Sequence, residues 1–310
     1  MLDIAVLKEL GKIVGADQVL TQKEDLIAYS YDGTFLEGWP DVVVLPSDTA
    51  QVADIVQVAN THSVPIVPRG MGSGLAGGSV PTQGGIVLTL TRMNRLLEID
   101  RANLTATAEA GLITGELQKR VEELGLFFPP DPASINQCTI GGNVATNAGG
   151  LRCVKYGVTR DYILGLTVVL ADGRVMRLGG KVIKNATGYN LMHALIGSEG
   201  TLGIVTEVIV RLIARPKVFR TAMATFARLD DAGTAVQRIL DTSVVPAVLE
   251  LMDRTTIKAV EDHMHLGLPV ESAALLLIEV DGKTEEEVDR DILAVTDACR
   301  TAGATDVKLA

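Results

Sequence analysis

The stretch PRGMGSGLAGG, from Pro68 to Gly78, decides how the rest of the chain can fold. It follows the apolar run VPIV at residues 64–67, which predicts a short β-strand. Glycine permits positive φ angles and a close approach to the backbone, so a run of glycines can direct several N–H groups into one concavity. Such a concavity suits an anion such as a pyrophosphate. A second stretch, TIGGNVATNAGG from Thr139 to Gly150, predicts a second anion-binding loop.

The first stretch also contains the G-x-G-x-x-G pattern of dinucleotide-binding folds, formed by Gly72, Gly74 and Gly77. In those folds a helix begins at the glycines. Here the chain continues through Pro81 and paired glycines into the apolar run Ile86–Leu90, and such residues disfavour a helix. The sequence therefore argues against the NAD-binding interpretation. The alternative without a ligand is a glycine-rich turn between strands, and the second stretch weighs against it.

Composition indicates a globular protein of about two domains, since the chain has 310 residues with 47% hydrophobic and 21% charged. The formal net charge is −10, and neither a basic cluster nor an aromatic platform suggests nucleic acid. Any anion must therefore be held mainly by backbone N–H groups, with local help from Arg69.

Targeting signals are missing from the sequence. No apolar run is long enough to cross a bilayer, and Asp3 and Glu9 argue against a signal peptide. Cys138, Cys153 and Cys299 are widely spaced and lack C-x-x-C spacing, so we interpret them as buried thiols. We predict a cytoplasmic location.

The order of elements predicts where the first loop lies. Residues 1 to about 36 are predicted to be helical. The run DVVVL from Asp41 predicts a strand, and the apolar spacing after it predicts a helix with Ser47 as its N-cap. With the strand around Ile66 this makes a β-α-β unit, which places the loop at the carboxyl end of a strand, the usual ligand position in open α/β sheets.

Further along, we predict a helix or turn near residues 93–97, a strand at 105–110 and a long strand from Thr201 to Leu212. Arg215-Pro216 predicts a domain boundary. Strands and helices then alternate as in a ferredoxin-like plait. The last predicted strand begins at Asp306 close to the end of the sequence, and we interpret the chain as a truncated sequence or a short subunit.

Four stretches resemble the FAD-binding module of the vanillyl-alcohol-oxidase and p-cresol-methylhydroxylase type: PRGMGSGLAGG, FFPPDPAS from Phe127, TIGGNVATNAGGLRCVKYG from Thr139, and NATGYNLMHALIGSEGTLGIVTEV from Asn185. Within it the chain is similar to glycolate oxidase FAD subunits and D-lactate (D-2-hydroxyacid) dehydrogenases. The resemblance implies an α+β fold with a two-subdomain FAD-binding domain and a partial ferredoxin-like cap. The implied domains are an N-terminal helical segment at 1–37, the FAD-binding domain at 38–216, with subdomains at about 38–100 and 101–216, and the cap at 217–310.

The resemblance also implies cofactor-binding residues. The first loop and its preceding residue would bind the FAD pyrophosphate: Pro68, Arg69, Gly70, Met71, Gly72, Ser73, Gly74 and Leu75. The flavin and phosphate path would be lined by Pro130, Asp131, Ser134, Thr139, Gly141, Gly142, Asn143 and Thr146. The cofactor would be closed over by Glu199, Gly200, Ile204 and Val205.

The positions of the histidines bear on how FAD is attached and on whether a catalytic or metal-binding residue can be assigned. Some family members tether the flavin to a histidine of the first loop, and none lies between Pro68 and Gly78, so we expect non-covalent FAD. The resemblance implies that a segment beyond this sequence carries a catalytic histidine and, in several family members, histidine and acid ligands for a divalent metal. The histidines present are His62, His193, His263 and His265, to which we assign structural or surface roles and no metal. The catalytic base is left unassigned.

Two functions remain open from the sequence. The first is an enzyme that transfers a hydride from the α-carbon of a 2-hydroxy acid, glycolate or D-lactate, to flavin N5 and passes electrons to an acceptor other than NAD. The second is an FAD-binding subunit or fragment that is inactive without a partner or a missing C-terminal half. The expected partners are an iron–sulfur subunit or a second FAD subunit, through which the chain would be peripheral to the inner membrane. A third, less favoured possibility is a non-redox flavin synthase of ether lipids.

Overall fold

A computed structural model describes residues 2–309 and divides the chain into two compact units. The first comprises the residues up to 148 together with 158–213, and the second comprises 149–157 together with the residues from 214 onward. Met1, in the predicted N-terminal helical segment, and Ala310, in the predicted cap, lie outside the described residues. No helix among residues 2–309 is long and apolar enough to cross a membrane.

The N-terminal segment is only partly helical: residues 4–14, 16–18 and 23–29 form α- or 3-10 helices, so the prediction of a helical segment up to residue 36 is wrong at residues 19–20 and beyond Tyr29. Helix α1 (Ile4–Val14) begins at Asp3, whose Oδ1 accepts from the N–H of Ala5 at 2.9 Å, and it ends at Gly15 with φ +91°. Strand β1 (Val19–Leu20) then pairs antiparallel with the edge of a sheet, and helix α2 (Lys23–Leu26) is a single turn. Edge pairing and the glycine turn override the local helical pattern.

A mostly parallel sheet positions the first glycine loop. Its strand order is β1, β2 (Val42–Val44), β4 (Ile86–Thr89) and β3 (Ile66–Arg69), and both β2 and β3 run parallel to β4. Helix α3 (Thr49–His62) makes the crossover from β2 to β3. The loop that contains Gly70–Gly78 therefore starts at the carboxyl end of β3, as the β-α-β pattern predicts.

The N-cap of α3 is Asp48 and not Ser47 as predicted. Asp48 Oδ1 accepts from the N–H of Gln51 at 2.9 Å, whereas Ser47 contacts the Gln51 side chain through its N–H at 2.8 Å and through its hydroxyl. A carboxylate three residues before that N–H satisfies a helix-end donor and interacts favourably with the helix dipole. Ser47 and Asp48 are both suitable N-cap residues. Asp48 is the cap because it directly precedes the first residue of α3, Thr49.

A five-stranded antiparallel sheet forms the rest of the first unit, in the order β5 (Leu96–Asp100), β6 (Thr105–Glu109), β10 (Ile204–Arg211), β8 (Ile163–Val169) and β9 (Val175–Gly179). The predicted helix or turn at 93–97 contains no helix: a turn at 91–92 is followed by residues 93–95 without regular structure and by β5 from Leu96. The predicted strand from Thr201 begins only at Ile204. Other elements, in chain order, are α4 (Thr114–Glu122), β7 (Leu126–Phe127), α5 (Ile140–Thr146), α6 (Cys153–Tyr156), α7 (Leu191–Leu195) and β11 (Ile213–Ala214).

The second unit is built on β12 (Val218–Phe226), α8 (Leu229–Asp241), β13 (Val248–Asp253), α9 (Arg254–Met264), β14 (Ala274–Gly282), α10 (Glu285–Thr301) and β15 (Ala304–Leu309). The sheet order is β13-β14-β12-β15, and all pairs are antiparallel. This is the strand order of a ferredoxin-like plait, with α9 added between its second and third strands. Its core includes the fully buried Phe226, Ile239 and Ile278.

One buried carboxylate ties residues 149–157 to the second unit. Asp281, whose side chain is 1% exposed, pairs with Lys155 Nζ and accepts a hydrogen bond from Tyr156 Oη at 2.6 Å. A buried charge needs a partner of opposite charge and hydrogen bonds. Both partners stand on α6, so Asp281 at the end of β14 fixes the segment that directly follows the second glycine stretch.

Candidate functional site

A cavity of about 220 Å³ lies within the first unit, between three segments of chain. These are the loop after β3, the residues from 132 to 148 around α5, and the turn from 195 to β10. The sequence-predicted residues that line it are Pro68, Arg69, Gly70, Met71, Gly72, Ser73, Gly74, Ser134, Thr139, Gly141, Gly142, Asn143, Thr146, Glu199, Gly200, Ile204 and Val205. The remaining three, Leu75, Pro130 and Asp131, are not among its lining residues.

The first loop presents a run of unpaired donors. The backbone N–H groups of residues 71–79 donate no hydrogen bond to a protein atom in the described part of the chain. Most of the loop is partly exposed, so water can serve these donors. An anion that displaces this water would gain several hydrogen bonds to one charged group, which are stronger than bonds to a neutral acceptor.

Arg69 stabilises the loop from within. Its side chain is buried, and its guanidinium donates to the carbonyl of Ser79 at 3.2 Å and to that of Ala28 at 3.4 Å while it packs over the Tyr29 ring. Burial lowers the pKa of Arg69 below its ordinary value, and the negative charge of Asp32 opposes that effect. The guanidinium stays protonated because arginine keeps its charge in proteins. It places a fixed positive charge under the loop.

Close packing explains two of the glycines. A Cβ on Gly70 would clash with Thr139 Oγ1, and a Cβ on Gly72 would clash with the Arg69 guanidinium. Gly72 also has φ +70°, which side chains rarely adopt. In contrast, a Cβ on Gly74 would meet open space. The loop is therefore pressed against its own arginine and against the second glycine stretch, while Gly74 borders the empty part of the cavity.

The prediction that residues 139–150 form a second anion-binding loop is wrong in its structure, because residues 140–146 form helix α5. The first-turn N–H groups are already used. Thr139 caps the helix through Oγ1, which accepts from Gly142 at 3.2 Å, and the N–H groups of Ile140 and Gly141 donate to Leu112 and Ala110. The stretch therefore borders the cavity with small side chains, and its glycines permit close packing; a Cβ on Gly141 would clash with Ala110.

The third wall is an unusual turn before β10. Glu199 has φ +51° and Gly200 has φ +81°, and the N–H of Glu199 donates to Ala145 of α5 at 2.9 Å. A Cβ on Gly78 would lie 2.6 Å from Glu199 Oε2. The turn is thus tied to α5 and lies against the end of the first loop, so the three predicted segments meet around one space.

Sequence reasoning missed several lining residues, among them Asp32, Ser79, Cys138 and Ser198. Cys138 is buried, and its Sγ donates to Thr114 Oγ1 at 3.7 Å. Asp32 lies about forty residues before the loop, and no motif connects the two in the sequence. Among the described residues, no group of three or more His, Cys, Asp or Glu side chains is placed to hold a metal ion.

Comparison with known proteins identifies the class to which this fold and cavity belong. Residues 40–179 match the family model of the FAD binding domain, and residues 215–310 match that of the C-terminal domain of FAD linked oxidases. The glycolate oxidase subunit GlcD of Bacillus subtilis is 44% identical over 98% of this chain. The D-lactate dehydrogenase of Anaerostipes hadrus is 38% identical over 97% of it. The chain spans 65% of the length of each relative.

Solved structures agree with this assignment. An alkyldihydroxyacetonephosphate synthase superposes on 100% of this chain, with a TM-score of 0.84, 26% identity and 60% of its own length covered. A p-cresol methylhydroxylase with bound substrate superposes on 98% of the chain with a TM-score of 0.81, and 65% of its own length is covered. Its 22% identity supports the fold alone. The chain belongs to the FAD linked oxidases, since it carries both their FAD binding domain and their C-terminal domain.

The cavity fits the cofactor of this family. FAD carries a pyrophosphate, and the unpaired N–H groups of residues 71–79 together with buried Arg69 provide donors and a positive charge for it. The small residues of α5 and the open space at Gly74 leave room beside the loop. FAD is therefore the cofactor of this chain.

Proposed function

We propose that this chain carries the cofactor-binding part of an enzyme that oxidises a 2-hydroxy acid, such as glycolate or D-lactate, to the corresponding 2-oxo acid. The observation that carries the proposal is the run of unpaired N–H groups at residues 71–79 along a cavity that Arg69 borders. The substrate class is supported by the names of two relatives, a glycolate oxidase subunit and a D-lactate dehydrogenase.

In this function the chain binds and orients the cofactor, while FAD supplies the acceptor of two electrons. Residues 70–75 hold the pyrophosphate through the backbone, and Arg69 offsets part of its negative charge. Thr139, Gly141, Gly142, Asn143 and Thr146 of the α5 segment shape the path of the cofactor beside the loop. Glu199, Gly200, Ile204 and Val205 form the opposite wall and limit the access of water.

The cofactor is proposed to be bound without a covalent link. The first loop has no histidine, and Cys138 is buried with its Sγ donating to Thr114. The electrons are proposed to pass to an acceptor other than NAD, through an iron–sulfur subunit or a second FAD subunit. A reducing compartment such as the cytoplasm is consistent with the free thiols of Cys138, Cys153 and Cys299.

A visible spectrum tests the proposal. The purified chain is loaded with FAD and dialysed, and D-lactate or glycolate is then added without oxygen. Flavin absorbance that survives dialysis and is released by denaturation is the expected result for bound, non-covalent FAD. Bleaching by either acid supports the oxidation. Bound flavin that neither acid bleaches would instead favour a cofactor-binding subunit, and a chain that takes up no FAD would refute the proposal.

A further inference from the structure

Asp32 has an oxygen atom that the protein leaves without a partner. Its Oδ2 is buried and accepts no hydrogen bond, and the residue as a whole is 7% exposed. Buried carboxylate oxygens in folded proteins nearly always have a hydrogen-bond donor, because removing them from water is costly. Asp32 is also one of the residues that line the cavity. The unpaired oxygen therefore belongs to a residue that borders the cavity.

The other oxygen of the same carboxylate accounts for the local structure. Oδ1 accepts from the N–H of Thr34 at 2.8 Å and from the Thr34 hydroxyl at 2.6 Å. The turn at residues 32–34 is therefore complete without Oδ2. A serine or asparagine could make such a turn as well, so the local structure does not explain why a buried carboxylate stands here.

The turn is fixed against the glycine loop. The N–H of Gly33 donates to the carbonyl of Gly74 at 3.0 Å, and a Cβ on Gly33 would lie 2.8 Å from that oxygen. Arg69 is close enough for its charge to interact with that of Asp32, but its guanidinium donates to Ser79 and Ala28 instead. Asp32 is thus held beside the loop that we propose for the pyrophosphate.

The charge of Asp32 determines what kind of group it can accept. An ionised carboxylate only accepts hydrogen bonds and repels phosphate oxygens. On both sides of its pyrophosphate, FAD carries hydroxyl groups, those of the ribityl chain and those of the ribose. Resting on the cofactor site proposed above, we infer that Asp32 is a cofactor-binding residue whose Oδ2 accepts a hydrogen bond from an FAD hydroxyl group next to the pyrophosphate.

The substitution Asp32→Asn tests this with little change of shape. It retains an oxygen for the Thr34 turn and replaces Oδ2 by an NH₂ group, which cannot accept. Loss of one hydrogen bond to a charged acceptor should weaken FAD binding about 10- to 100-fold. Binding of inorganic pyrophosphate should stay equal or become tighter, since a nearby negative charge is removed. Thr34→Val is the matched control, because it removes the hydroxyl that donates to Oδ1 but leaves Oδ2 in place.

The readouts are the FAD and pyrophosphate dissociation constants of the full chain, measured by calorimetry, and the unfolding temperature without ligand. The unfolding temperature without ligand shows whether Asp32→Asn stays folded, because the substitution puts unpaired N–H donors in place of Oδ2 and removes a negative charge near Arg69. Unchanged FAD affinity in Asp32→Asn, an equal loss in Thr34→Val, or a parallel loss of pyrophosphate affinity would each overturn the inference and leave the proposed function standing. If the unsubstituted chain bound no FAD, both would fail.

Discussion

The substitution Gly70→Ala tests how closely the first loop and α5 must approach each other. A Cβ at this position would lie closer to Thr139 Oγ1 than real Cβ atoms come to any neighbour, while the other two nearest atoms, Thr139 Cβ and Cγ2, would be at an ordinary 3.5 Å. The conflict is therefore with a single oxygen atom. To reach the 3.0 Å limit, the loop or Thr139 must retreat by more than half an ångström.

The cost can be worked out from this geometry. Overpacking of this size destabilises a protein by about 1–3 kcal/mol. Thr139→Ala should cost about 1 kcal/mol by itself, because Oγ1 caps α5. In the double variant the clashing oxygen is gone, so its total cost should be close to that of Thr139→Ala alone. The coupling energy between the two sites should therefore be about 1–3 kcal/mol.

The assay is denaturant unfolding of the four proteins of this cycle, together with FAD titration by flavin fluorescence. Gly70→Ala should weaken FAD binding about 5- to 150-fold if the FAD-bound form of the loop bears the full cost of the clash. Gly74→Ala is the matched control for the unfolding measurement in the same loop, since its Cβ would meet no protein atom within 4 Å. Additive free energies in the cycle, or a loss of unfolding free energy in Gly74→Ala as large as in Gly70→Ala, would refute the reasoning.

Further predictions concern the capping of α3 and the cysteines. Asp48→Ala should lower the free energy of unfolding by about 1 kcal/mol and Ser47→Ala by less, as measured with urea; equal losses would contradict the assignment of the cap. Burial raises the pKa of Cys299 from 9.0 to about 11, so the unfolded chain loses this proton first as the pH rises. The free energy of unfolding should therefore fall as the pH rises from 9 to 11, and Cys299→Ala should remove the part of this fall that the thiol causes. A thiol reagent at pH 8 should modify the half-buried Cys153 before the buried Cys138 and Cys299. Mass spectrometry after short reaction times measures the order of labelling, and earlier labelling of Cys138 or Cys299 would contradict the prediction.

The sequence predicted the order of the main elements because their signals are local. The run Val42–Val44 is continuous and apolar, as expected for a parallel strand covered on both faces, and α3 has a regular buried face. The glycine loop was placed at the end of β3 because a β-α-β unit permits little else. The ferredoxin-like plait of the second unit could be predicted because its strands and helices alternate along the sequence.

The errors arose where tertiary packing overrides local preference. Residues 140–146 contain two glycines and three β-branched residues, a poor helix by intrinsic propensity, yet Thr139 caps them and contacts with Leu112 and Ala110 hold the first turn. Val19–Leu20 becomes a strand because β2 offers an open edge. Asp32 was missed because its importance depends on a contact between Gly33 and Gly74 that no local pattern encodes.

An acidic chain that binds an anionic cofactor must solve an electrostatic problem, since its formal net charge is −10. Surface lysines would offer only weak, screened attraction. The first loop instead combines backbone dipoles with one buried arginine, and both are fixed in place before the ligand arrives. The clash of any Cβ at Gly72 with the Arg69 guanidinium links these two devices: the glycine is needed so that the charge can lie directly beneath the loop. The glycines of this stretch therefore serve the charge of Arg69 as much as they free the backbone N–H groups.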